Sequence, residues 1–317
     1  MTSPASTSSS RADAGTRAKP RKKTPRLPGI SRIAAGVDGF PEGRDAAALG
    51  QLLASATGAE LMLVAIHPAP LVPTPPELGY TSLRRESQRT LREVRDSLAP
   101  GARTVTATDL SVPRALHRVV QRHHRDLLVM GSSRQAPEAR VRIGKRTRQL
   151  LCHFDCALAV APRGMHADIS RSLRRIGVGY DGGPESEAAL ALAASIALGA
   201  GAELNVQAVI DDRLLWPAWS PLGNALGVGW DEVVQTGVDE MRDRAIAWGQ
   251  SREIPLDVAV ARGRPADSLL ALSERVDLLV IGSRRWGPAT RLLLGSTGEA
   301  LMHDAACAVM AVPRPAR

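Results

Sequence analysis

Residues 33–66, IAAGVDGFPEGRDAAALGQLLASATGAELMLVAI, and residues 176–209, IGVGYDGGPESEAALALAASIALGAGAELNVQAV, align without a gap at an offset of 143. A second block runs from DLLVMGSSR at Asp126 to DLLVIGSRR at Asp277, an offset of 151, and holds through Cys156 and Cys307 to ALAVAPR and AVMAVPR. Self-similarity at a fixed spacing marks a chain assembled from repeated units. The eight extra residues fall largely between Asp211 and Gln250, a segment with Trp216, Trp219, Trp230 and Trp248 and no counterpart of that composition in the first half. The chain therefore reads as a tandem duplication. We expect a basic tail over residues 1–29, one unit over 30–163, a linker over 164–175 and a second unit over 176–317; 317 residues agree with two domains at roughly 150 residues each.

Within each unit, strand-like and helix-like segments alternate. In the first, residues 33–37 form a short apolar strand, and Ala46, Leu49, Leu53 and Ala56 recur at helical spacing until Gly58 ends the helix. Residues 61–66 read as a strand, 84–98 as a charged amphipathic helix, 104–108 as a β-branched strand, 113–123 as a helix, and 127–130 and 157–160 as buried strands. This alternation implies right-handed crossovers and an α/β fold, with a mainly parallel sheet in each repeat and helices on both faces. Such sheets bind ligands at the carboxyl ends of their strands, where strand order reverses.

The formal net charge of +9 is unevenly placed. Residues 1–29 hold seven Lys/Arg and one acid, in a stretch with almost no large apolar residues; it reads as a disordered, solvated tail and not as a signal peptide. Residues 30–163 carry 19 Lys/Arg against 12 acids, and residues 164–317 carry 15 against 19, so the halves attract. Aromatic residues are only 3% of the chain, which argues against nucleic-acid binding by base stacking. The longest apolar stretch, 188–200, is too short to span a membrane. Three cysteines, Cys152, Cys156 and Cys307, make no disulfide framework and suit a reducing cytoplasm.

Chemistry concentrates at the segment GSRRWGPATRLLLGST, residues 282–297, a glycine-punctuated loop that leads into a helix. Glycines admit oxygen atoms close to backbone N–H groups, and a helix N-terminus favours negative charge. These residues, with the first-strand Asp38 and Asp181, resemble the signature of the universal stress protein family, over about residues 30–314. The resemblance implies two tandem Rossmann-like domains of the adenine-nucleotide alpha hydrolase-like type, with five parallel strands each. It further implies a pseudo-twofold axis, pairing through the last strands, and ATP or another adenine nucleotide as ligand. By resemblance, Asp181 sits near the ribose, Gly282, Arg284, Gly295 and Ser296 surround the phosphates, Thr297 opens the helix, and Ser283 and Gly287 belong to the same binding segment. Asp38, Gly131 and Gly144 are the first-repeat equivalents. The family loop, G-x2-G-x9-G-[S/T], is altered here: Arg285 and Arg134 replace the second glycine, and Lys145 replaces the Ser/Thr in the first repeat. An arginine there either blocks the backbone's approach or meets a phosphate itself. The second repeat is accordingly expected to be the main site.

Other readings of the same residues are weaker. Gly177, Gly179 and Gly182 spell G-x-G-x-x-G, but the first two fall inside a strand, and Ala34 stands at the matching first-repeat position. Gly144-Lys145 lacks the remainder of a Walker A loop. Cys152, His153 and Cys156 have no second ligand pair, so buried thiols are favoured over a metal site. Asp38 and Asp181 also suit a plain Asp-Gly turn. The cation cluster of Arg134, Arg140, Arg142, Lys145, Arg146 and Arg148 reads first as a solvated face or an interface with the acidic second half. No catalytic or metal constellation stands out. The function expected is therefore a cytoplasmic stress-response sensor or adaptor that binds an adenine nucleotide, with weak ATP hydrolysis left open. Its repeats form an intramolecular pseudo-dimer, and a homodimer is a further arrangement. A nucleotide-free tandem scaffold is second, and an NAD-binding or nucleotidyl-transfer enzyme third.

Overall fold

The computed structural model describes residues 27–68, 80–144, 147–148, 156–211, 230–283 and 294–313. Residues 1–26, Lys145, Arg146, Cys152, His153, the tryptophans at 216 and 219 and residues 284–293 lie outside the described residues.

In chain order the first repeat comprises β1 (Arg32–Gly36), α1 (Pro41–Thr57), β2 (Glu60–Pro68), α2 (Tyr80–Leu98), β3 (Arg103–Asp109), α3 (Val112–Arg122), β4 (Leu127–Gly131) and β5 (Ala157–Ala161). A short 3-10 turn, Met165–Ala167, leads to the second repeat. That repeat comprises β6 (Arg175–Tyr180), α4 (Pro184–Ala200), β7 (Glu203–Ile210), α5 (Trp230–Gln250), β8 (Asp257–Arg262), α6 (Pro265–Ser273), β9 (Leu278–Gly282), α7 (Ser296–Asp304) and β10 (Ala308–Val312).

The ten strands of the described residues join one sheet in the order β3-β2-β1-β4-β5-β10-β9-β6-β7-β8. Every neighbouring pair is parallel except the central one, where β10 runs antiparallel to β5 with Val309 opposite Val160 and Ala311 opposite Leu158. The two halves of the order repeat each other, so the continuous sheet is two five-stranded units joined through their last strands, as the family resemblance implied. Strand alternation divides the side chains between two cores. Ile33, Ala35, Leu61 and Leu63 face α1, α2, α4 and α5, whereas Ala34, Met62, Val64 and Leu128 face α3, α6 and α7.

Local signals explain the helices. α1 and α4 each have proline in the first turn and end on a left-handed glycine, Gly58 (φ 70°) and Gly201 (φ 65°), whose N–H bonds Ala54 O and Ala197 O. Ser111 caps α3 by accepting from Arg114 N. Gly177 and Gly179 lie in β6, and their missing side chains are explained by packing: a Cβ at either would come within 3.0 Å of Leu272 or Leu269 on α6. The connection after β5 is held to α1 by buried Asp45, which accepts hydrogen bonds from Gly164 N and His166 N at 3.0 and 2.9 Å.

Candidate functional site

In the first repeat, strand order reverses between β1 and β4, and a cleft of about 360 Å³ opens there at the strands' carboxyl ends. Its floor is apolar, built from Val64 and Ile66 of β2, Val112 and Leu116 of α3, and Met130 of β4. Its rim is polar, with Asp38 after β1, Glu42 in the first turn of α1, Ser133 and Arg134 after β4, and Thr147 beyond Gly144. An apolar slot with a few convergent polar groups suits a ligand with a flat apolar part and a polar end.

Three sequence-predicted residues, Asp38, Gly131 and Gly144, line this cleft together. Asp38 also makes the predicted turn, with its Oδ1 accepting from Phe40 N at 3.1 Å. Asp181 does the same in the second repeat through Gly183 N at 2.9 Å. Gly131 has a packing reason of its own, because a Cβ there would run into the Glu42 carbonyl oxygen. Gly282 repeats this relation, a Cβ coming within 2.6 Å of the Glu185 backbone. By contrast, among the described residues Gly144 has only the Ser133 Cβ nearby, at 3.8 Å from the position its own would take, which leaves space on the cleft side.

Arg134, at the place of the missing glycine, does not close the cleft. Its guanidinium lies 4.2 Å from the centroid of the Phe40 ring, a cation–π contact at the rim. Arg140 and Arg142 turn away toward the second repeat and pair with Glu274 and Asp304 at 3.3 and 3.7 Å. Part of the cation cluster therefore serves the interface between repeats. Glu42 keeps Oε2 buried without a hydrogen-bond partner among the described residues. Just past the floor, His67 Nε2 lies 2.7 Å from Thr108 Oγ1. Burial, then the Arg84 charge, lowers the His67 pKa and favours a neutral ring.

In the second repeat, Gly282 ends β9, and buried Ser283 is tied to the sheet by its N–H to Val312 O at 2.9 Å. Gly295 is the N-cap of α7 with extended backbone (φ −73°, ψ 176°), and Ser296 and Thr297 open the helix. The start of α7 packs beside β9, since a Cβ on Gly298 would lie 3.4 Å from Ile281 Cδ1. Arg284, Arg285 and Gly287 lie outside the described residues.

The sequence reading missed Glu42, Ser132, Ser133 and Thr147. The repeat alignment held a signal for two of them, pairing Glu42 with Glu185 and Ser132 with Ser283. Ser132 is the stronger omission. It is buried, donates to Ala161 O at 2.7 Å and accepts from Arg142 N at 3.2 Å, fixing the root of the loop that walls the cleft.

Comparison with known proteins bears on this arrangement. The model of the universal stress protein family matches twice, at residues 29–162 and 172–313. The chain belongs to the universal stress protein family. A universal stress protein of Mycobacterium tuberculosis is 30% identical over 190 residues, covering 57% of this chain and 59% of the relative; the chain thus spans about three fifths of that protein's length. A universal stress protein of Thermus aquaticus is 31% identical over 140 residues, covering 42% of this chain and 93% of the relative. Among solved structures, a universal stress protein from Archaeoglobus fulgidus superposes with a TM-score of 0.65 at 15% identity, over 90% of this chain and 98% of that one. A putative universal stress protein from Pseudomonas aeruginosa gives 0.57 at 19% identity, over 90% and 94%. At these identities the likeness to universal stress proteins of known structure is one of fold.

Proposed function

We propose that this universal stress protein binds an adenine nucleotide in the first-repeat cleft and acts as a cytoplasmic, nucleotide-responsive adaptor, not as an enzyme. The observation that carries the reading is the meeting of Asp38, Arg134 and Gly144 around an apolar floor at the point where strand order reverses. The base lies on Val64, Ile66 and Leu116, the ribose hydroxyls reach the carboxylate of Asp38, and the phosphates leave past Ser133, Arg134 and Gly144. The unpartnered Glu42 Oε2 supports a ligand that brings a hydroxyl or amino donor. A related position in the second repeat comprises Asp181, Gly282, Ser283, Arg284, Gly287, Gly295, Ser296 and Thr297. The sequence pattern favoured that repeat as the main site. We make the proposal for the first, where Asp38, Arg134 and Gly144 meet around the apolar floor. The domain limits 30–163 and 176–317 remain part of the proposal.

Calorimetry of the full chain with ATP, ADP, AMP and NAD tests this. An adenine nucleotide should bind at submillimolar concentration, and Gly144→Val, which fills the space on the cleft side, should abolish binding. No binding at millimolar nucleotide would favour the nucleotide-free scaffold, and rapid ATP turnover would favour an enzyme.

A further inference from the structure

The loop that walls the first-repeat cleft is anchored on the other repeat. Residues 132–144 contain no helix or strand. A segment of that length loses roughly 1–2 kcal/mol of backbone entropy per residue on ordering, so something outside it must hold its shape. Within the loop, Ser133 N donates to Arg142 O at 2.7 Å, linking the cleft side to the far side. On the far side, Val141 N donates to Ala305 O at 2.8 Å and Ile143 N to Met302 O at 2.9 Å, both acceptors at the carboxyl end of α7. The side chains of Val141 and Ile143 are buried in the core shared with Leu301, Met302 and Cys307. Arg140 adds two bonds, from Nη1 to Asp304 O at 3.2 Å and from Nη2 to Glu274 Oε1 at 3.3 Å. Arg142 Nη2 lies 3.7 Å from Asp304 Oδ1.

We infer that the second repeat is a working part of the first-repeat site, with Glu274 and Asp304 as positioning residues that hold Ser133, Arg134 and Gly144 at the cleft through Arg140 and Arg142. This rests on the reading that the cleft takes an adenine nucleotide. Neither acid lines the cleft. Their effect travels through a short path, from Glu274 to Arg140, along two residues of loop, and back through the Arg142 carbonyl to Ser133 N. The alternative role for these pairs is generic adhesion between the halves. Exposed ion pairs contribute little to stability, so adhesion alone predicts little change in either stability or binding when one is altered. Positioning predicts a change in binding at nearly constant stability, because a loop with more freedom presents its amides and guanidinium to the ligand less often.

The test uses the full chain with Glu274→Arg, Arg140→Glu and the double exchange. Two signals are read: ATP affinity by calorimetry, and hydrogen exchange at the hydrogen-bonded Ser133 and Ile143 amides without nucleotide. Each single variant should weaken ATP binding roughly fivefold or more and speed exchange at both amides, with the melting temperature nearly unchanged. The double exchange, which restores opposite charges, should return both signals to near wild type. Unchanged exchange and unchanged affinity in the single variants would overturn the inference, as would failure of the exchange to restore them. If the wild type binds no ATP, the nucleotide reading fails by itself, and the exchange signal still decides whether the second repeat holds the loop. Should Arg140→Glu fail to fold, Glu274→Arg supplies the same comparison from outside the first repeat.

Discussion

Gly199 on α4 lies against Ala56 on α1, so closely that a Cβ on Gly199 would run into the Ala56 carbonyl oxygen. The two residues occupy the same position in the two repeats, at the offset of 143. The helices meet near the pseudo-twofold axis, and only one of the equivalent positions has room for a side chain. Gly199→Ala should force α1 and α4 apart and destabilise the protein by about 1–3 kcal/mol, the usual cost of overpacking. Ala56→Gly should cost only ~1 kcal/mol or less, through helix propensity. Urea midpoints of the two variants check the asymmetry; equal losses would contradict it.

Asp45 is buried on α1, and its Oδ1 lies 2.6 Å from His166 Nδ1 besides accepting two backbone N–H groups. Asp45→Ala copies what the second repeat has at the matching position, Ala188. It should nevertheless destabilise by roughly 1–3 kcal/mol, because the Gly164 and His166 amides lose their acceptor. Denaturant titration measures the loss, and faster exchange of the His166 amide would locate it.

Asp109 should make stability fall in acid. The hydrogen bond from the Arg114 side chain, then that from Ser111 N, holds its carboxyl down to about 2, with the Arg118 charge adding to the effect. Its folded pKa lies below the ordinary value of 3.8, so the stabilisation is complete above that value and disappears as pH falls through about 2. Wild type and Asp109→Asn should differ in melting temperature at pH 6 and converge near pH 2. Parallel curves over that range would refute the assignment.

Burial pushes the Cys307 thiol up to about 12, and Cys156 is buried as well. Neither should react with iodoacetamide at pH 8 in the native state, whereas both should react in urea. Mass spectrometry of the labelled peptides distinguishes these outcomes, and native labelling at Cys307 would show that its strand opens.

Arg134 should contribute to nucleotide affinity through charge. Arg134→Leu is expected to weaken ATP binding roughly 10- to 100-fold, the range for a lost hydrogen bond to a charged group, with little effect on adenosine. Calorimetry with both ligands checks this, and equal losses would mean that the residue shapes the cleft and does not meet a phosphate.

The fold was legible because duplication wrote it twice. Asp38-Gly39 and Asp181-Gly182 mark the same turn, and glycines at 58 and 201 end the same helix. Strand limits shifted by one or two residues, for example from 61–66 to Glu60–Pro68, because pairing extends a strand beyond its apolar run. The charge balance of the halves anticipated that the cluster holding Arg140 could meet the acidic second half, but not which partner it finds: Asp304 lies 164 residues away. The role of Asp45 was not legible, since His166 lies 121 residues away and nothing local to a helical aspartate reveals such a contact. Gly131 was legible as a glycine but not for its reason, since the packing of α1 against β4 cannot be read from the loop alone.

The antiparallel seam between β5 and β10 is internal to a single chain. Two separate copies joined by such a seam would come apart on dilution, whereas here the connection from 162 to 174 keeps each half at a high effective concentration for the other. Covalent linkage also removes a constraint on sequence. In a symmetric pair, any change appears on both sides at once, but here one half can keep Asp45 while the other keeps Ala188, and one can carry Lys145 where the other carries Ser296. Fusion thus lets the two halves diverge, so that under the proposed function one specialises in holding a ligand and the other in holding its partner's loop.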